Sequence, residues 1–141
     1  MANSTNDSIH FQLFRPTQLP IKDEHICLDR NGYGMSKYLM EEISRYYYRQ
    51  HQHSDIINLR LSSVCADENL PPLKLVSPLA EWSLGSITIM SLSDAVRAFT
   101  MAVEASYKPG VRIMNTAGPL SWTAVPVAEI LRNWWGDEVD L

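Results

Sequence analysis

An α/β fold is what this sequence predicts, and three observations predict it. Stretches with helical spacing of apolar residues alternate along the chain with short β-branched runs. Glycine, proline or small polar residues close most of these runs, as expected where elements turn. The composition, 45% hydrophobic and 20% charged over 141 residues, is that of one ordinary globular unit. The length suffices for a core, although it is at the small end for a complete α/β enzyme.

Residues 1–31 hold Pro16, Pro20 and mixed polar side chains with no period, and read as loop. From about Met35 to Gln50 the pattern is helical. Leu39, Ile43 and Tyr46 or Tyr47 recur at three- and four-residue steps, with Glu41, Glu42, Arg45 and Arg49 on the other side. The spacing therefore predicts an apolar inner face and a charged outer one. "SDIINLRLSSV" (54–64) reads as a buried strand, and the proline-bearing stretch 65–85 as a loop. "SITIM" (86–90) is a short strand, after which Ser91 can cap a helix with Asp94 in its first turn. Ala95, Phe99, Ala102 and Val103 share one face of that helix. "VRIMNTAG" (111–118) is a further strand, closed by Gly118 and Pro119. A last helix starts at about Pro126 and carries Val127, Ile130, Leu131 and Trp134. No internal repeat or low-complexity segment is present.

Several classes of function have no support. A formal net charge of −4 offers no electrostatic reason to expect nucleic acid. No apolar run approaches the roughly 18 residues that a bilayer span requires, so no membrane association is expected. "MANSTNDSIHFQ" has neither the charged nor the apolar region of a secretory signal. Cys27 and Cys65 form no motif and read as reduced, packing cysteines, which makes the cytoplasm the expected location. His51 and His53 lack further metal ligands and read as a solvated helix end. The tyrosines at 46–48 and Trp134–Trp135 read as packing.

"NGYGMSKYLMEE" (31–42) holds the candidate chemistry. Tyr33 and Lys37 stand four apart, one above the other on a helix face, and can address one site. A phenol is a poor acid or base at neutral pH, its ordinary pKa being about 10. A nearby ammonium favours the phenolate. The same lysine could hold a ligand hydroxyl, so one spacing serves tuning and positioning together. By itself Tyr-x-x-x-Lys is common, and an exposed amphipathic turn is the default reading.

The surrounding residues sharpen it. "LPIKDEHICLDRNGYGMSKYLMEE" (19–42) resembles the segment leading into the active-site helix of the extended short-chain dehydrogenase/reductases, the NAD-dependent epimerase/dehydratase family. Leu19, Pro20, Ile21, Glu24, His25, Tyr33, Gly34, Ser36, Lys37 and Glu41 fall in that family's order, with Gly32 where a proline is usual. "INLRLSSV", "ITIMSLSDAVRAFTMAVEA" and "VRIMNTAG" are similar, more loosely, to its later strands and helix. The resemblance implies an NAD- or NADP-dependent oxidoreductase or epimerase acting on a sugar or related hydroxyl or carbonyl substrate. It implies Tyr33 as general acid/base, Lys37 on the nicotinamide ribose and a serine that positions the reacting oxygen. Ser4 is the counterpart chosen for that serine, Thr5 the alternative. Ser62 and Ser63 are expected beside the nicotinamide.

One part of the family pattern has no counterpart. A pyrophosphate site needs closely spaced glycines at a helix N-terminus. The six glycines, Gly32, Gly34, Gly85, Gly110, Gly118 and Gly136, contain no G-x-x-G-x-x-G arrangement. The expectation is a partial Rossmann-like, doubly wound unit over residues 1–141. It would be the second half of such a domain, without the dinucleotide-binding half and with substrate-domain elements. Weak or no cofactor binding and no turnover are expected of the chain alone. The other reading is a non-catalytic remnant or binding subunit, which would associate with itself or a partner through an exposed sheet edge.

Overall fold

The computed structural model describes residues 17–28, 31–73, 87–119 and 121–136. Those residues form a small α/β structure of three α-helices and four strands. In chain order these are α1 (Gly32–Gln50), β1 (Asp55–Leu61), β2 (Ser63–Cys65), β3 (Ile89–Ser91), α2 (Leu92–Glu104), β4 (Gly110–Thr116) and α3 (Val127–Trp135), with a 3₁₀ turn at Asp67–Asn69. The strands pair into two small parallel sheets, β1 with β4 and β2 with β3. The first runs in register from Asp55 opposite Gly110 to Leu61 opposite Thr116. Parallel neighbours cannot be joined by a tight turn, and α2 lies on the long connection between them.

Local chemistry sets the boundaries. Asn31 caps α1, its Oδ1 accepting the Gly34 N–H at 2.7 Å, so the helix begins ahead of the apolar period. Ser91 caps α2 as its position predicts, with Oγ accepting the Asp94 N–H at 3.0 Å. Asp67 reaches across from the 3₁₀ turn and accepts the Ser93 hydroxyl at 2.6 Å. That hydroxyl, helped by the Ser93 amide, holds the Asp67 carboxyl below its ordinary value. α3 follows Pro126 and closes at Gly136, whose φ of 74° lies in the left-handed region that favours glycine.

The buried apolar residues lie in and just before β3, on α2 and on α3. Ile87, Ile89, Met90, Ala95, Ile130 and Leu131 are buried, and the Ile130 side chain is fully enclosed. The segment after β4 crosses β3 closely. A Cβ on Gly118 would stand 1.9 Å from the Ile89 carbonyl oxygen, so only glycine fits. Trp122 fastens the same crossing, its backbone N–H donating to Ile87 and its indole N–H to Pro71, both at 2.6 Å.

α1 is oriented differently from the expectation of an apolar inner face. Leu39, Ile43, Tyr46 and Tyr47 are all exposed, Ile43 at 63%. The residue that α1 buries is Glu41, at 8%. Its carboxylate takes the Arg60 guanidinium of β1 in a bidentate pair at 2.7 and 2.9 Å. One turn on, the Ser44 hydroxyl donates to Asn58 Oδ1 at 3.2 Å. β1 thus presents polar side chains to α1, and a half-buried guanidinium demands a paired carboxylate more strongly than the apolar stripe demands cover. The tyrosines at 46 and 47 are correspondingly not core. Arg49 lies over the Tyr46 ring at 5.6 Å. Cys27 is exposed and Cys65 half-buried, both as free thiols, so the packing reading fails for Cys27.

Candidate functional site

Tyr33 and Lys37 meet in the first turns of α1. The Lys37 Nζ stands 5.2 Å from the centre of the Tyr33 ring, over its face. Helical spacing brings them together, and the Asn31 cap fixes where that spacing begins. The Ser36 hydroxyl donates to the Tyr33 carbonyl at 2.6 Å, turned back along the helix. Tyr33 is 59% exposed, and its hydroxyl makes no hydrogen bond among the described residues. The phenol is therefore open to a ligand.

The pair lies toward the C-terminal end of the β1–β4 sheet. α1 runs against β1, so that Ser44 meets Asn58 and Glu41 meets Arg60. One more helical turn back is Lys37, and two more strand residues forward is Ser62, steps of about 6 Å each. α1 therefore begins toward the end at which β1 finishes. Ser62 donates its backbone N–H to Thr116 at 2.9 Å. Its hydroxyl is enclosed and has no partner among the described residues, as is also true of the Asn58 side-chain amide nitrogen. Such orphans are rare and are commonly completed by water or ligand. Ser63 opens β2 opposite Ile89 and is exposed, so the two serines occupy different surroundings. Ser4 and Thr5 lie outside the described residues.

A loop is tied over the same end of the sheet. Arg60 donates to the Asp23 carbonyl at 3.0 Å, the Asn115 amide donates to the Asp23 carboxylate at 2.6 Å, and the Asn115 side chain donates to the Ile21 carbonyl at 3.2 Å. The Glu41 carboxylate holds the Arg60 guanidinium charged, above its ordinary value. Residues 21–23, α1, β1 and β4 thus converge on one polar network. Sequence reading missed Glu41, Arg60, Asp23 and Asn115 as its members. The available signal was a charged residue in each of two predicted core-facing elements.

The other face of β1 has a different character. Ile57, Leu59, Phe99, Ala102, Val103 and Tyr107 line an open apolar groove of about 440 Å³ between β1 and α2. Asp55 at its rim is already engaged, accepting the Lys108 amide at 2.8 Å and Arg112 at 2.7 Å. That amide first, then the guanidinium, holds the Asp55 carboxyl below its ordinary value. His51 and His53 stack edge to face at 6.3 Å, and no group of three metal-ligating side chains exists among the described residues. No described helix is long and apolar enough to cross a membrane.

No protein-family model matches this chain, and neither a curated protein nor a solved structure matches it significantly.

Proposed function

We propose that this chain is the catalytic half of an NAD(P)-dependent oxidoreductase or epimerase of the short-chain dehydrogenase/reductase kind, acting on a sugar or related hydroxyl or carbonyl compound. One observation carries the reading: an exposed Tyr33 phenol, unbonded among the described residues, under the Lys37 ammonium in the first turns of a helix that runs against a parallel strand pair. Open α/β sheets bind ligands at the C-terminal ends of their strands. In this reading the two small parallel sheets are the second part of a Rossmann-like unit.

The residues present suit one end of a dinucleotide. Lys37 can hold ribose hydroxyls, and the enclosed Ser62 hydroxyl, without a partner among the described residues, is a further polar group past the end of β1. They do not suit its other end. Among the described glycines, Gly110, Gly118 and Gly136 sit at a strand start, a strand crossing and a helix end, and the Gly34 amide at the α1 N-terminus is already taken by Asn31. When bound, the nicotinamide would supply or accept the hydride. The chain's own part is the proton. Tyr33 as phenolate takes the proton from a substrate hydroxyl and becomes the phenol, or as phenol gives that proton to a carbonyl oxygen and returns to phenolate, with the Lys37 ammonium beside the ring.

The test joins this chain to a glycine-turn nucleotide half and measures turnover. Tyr33→Phe is expected to lower it by about 10²–10⁴-fold, the usual contribution of a positioned acid/base. Lys37→Ala is expected to weaken cofactor binding and turnover together. Unchanged turnover in Tyr33→Phe would make this tyrosine structural. A second reading, a non-catalytic binding subunit, is favoured by the missing glycine turn and by the exposed apolar residues of α1. Calorimetric titration of the 141-residue chain with NADH and NADPH bears on both, with weak or no binding expected.

A further inference from the structure

We propose that His25 is a proton-sensitive latch on the loop that covers the C-terminal end of the β1–β4 sheet. Both ring nitrogens are engaged, and their partners dictate the protonation state. Nε2 lies 3.0 Å from the Thr17 backbone nitrogen, which can only donate, so Nε2 must offer a lone pair. Nδ1 lies 2.7 Å from the Ile26 carbonyl oxygen, which can only accept, so Nδ1 carries the hydrogen. The latched ring is the neutral Nδ1–H tautomer. Its backbone amide donates to the Lys22 carbonyl at 3.1 Å, closing the loop a second time.

A second ring proton falls on Nε2 and meets the Thr17 N–H head on. The Thr17 hydroxyl, 3.2 Å from Nε2, can rotate to accept it, but the backbone amide cannot change role. The Thr17–His25 closure is therefore available to the neutral ring alone.

The charged groups around the loop are Lys22, Asp23 and Glu24 within it, Arg60 from β1 and Glu41 from α1. None of them hydrogen-bonds the ring. The Asp23 carboxylate holds the Asn115 amide, and Arg60 and Glu41 hold each other. Opening the latch thus releases the Thr17 backbone amide, while Asp23 stays anchored to Arg60 and Asn115. This device does not depend on the proposed catalytic reading, because it is internal to the loop.

Nuclear magnetic resonance on the intact chain tests it. At about pH 8 the His25 ring should show the Nδ1–H tautomer. Between about pH 8 and pH 5 the Thr17 amide, corrected for the intrinsic pH dependence of exchange, should exchange about fivefold faster, as loss of one net hydrogen bond predicts. Asn115 should not change. His25→Gln should abolish the pH step at Thr17. An Nε2–H tautomer at high pH, a Thr17 amide indifferent to pH, or a step that survives in His25→Gln would each overturn the proposal. The tautomer measurement needs no variant and stands if His25→Gln fails to fold.

Discussion

The two halves of this molecule are held by different forces. At β3 and on α3 the buried side chains are apolar, from Ile87 and Met90 to the enclosed Ile130. Between α1 and β1 they are polar, a buried carboxylate on a guanidinium and a hydroxyl on an amide, while the apolar side chains of α1 face outward. Hydrophobic burial is non-directional and gives stability. A bidentate ion pair gives little net stability but fixes orientation, since it forms in one geometry only. The region that aims Tyr33 and Lys37 is the one with directional contacts.

Truncating the apolar side should have the largest effect. Ile130→Ala is expected to cost about 2–5 kcal/mol, the range for deleting an enclosed aliphatic side chain. The measurement is the shift in a urea denaturation midpoint at constant slope. An unshifted midpoint would mean that the Ile130 side chain is not enclosed in solution.

The polar side should respond less to loss of a partner. Glu41→Ala strands Arg60, whose side chain is 32% exposed. Partial access to water reduces the usual penalty for a broken buried pair to about 1–3 kcal/mol. Replacing both partners, Glu41→Leu with Arg60→Met, should recover most of that loss in stability. If the double variant is as unstable as the single one, the pair does more than satisfy its own charges.

Ile43 sharpens the contrast, being the same residue type as Ile130 in the other half. At 63% exposure, Ile43→Ser should change the stability of the isolated chain by no more than about 0.5 kcal/mol. A loss comparable with that of Ile130→Ala would show that the outer face of α1 is covered in solution.

The smallest effect expected is on the acid side of the pH profile. Asp55 has its carboxyl lowered by the Lys108 amide and Arg112, so the folded state favours the ionised form. Its contribution is fully present above the ordinary unfolded value of about 3.9 and disappears as pH falls through the lower folded value. Asp55→Asn should flatten the acid limb of a stability–pH curve below about pH 4. A limb of unchanged steepness would assign the acid sensitivity elsewhere.

By itself the sequence determined what is local. The Ser91 cap, the helix after Pro126, the strands at Asp55–Leu61 and Gly110–Thr116, and the joint placement of Tyr33 and Lys37 all depend on residues within a turn or two of one another. Periods and caps act over that range. Only the tertiary structure decided which face of α1 turns inward. Leu39 and Ile43 suggested one face, but Arg60, nineteen residues beyond Glu41, selected the other. It also brought Asp23 to Asn115, ninety-two residues apart. A one-dimensional pattern records hydrophobicity along a helix but not the partner a distant charge requires, and here a buried charge's need for its counter-ion prevailed.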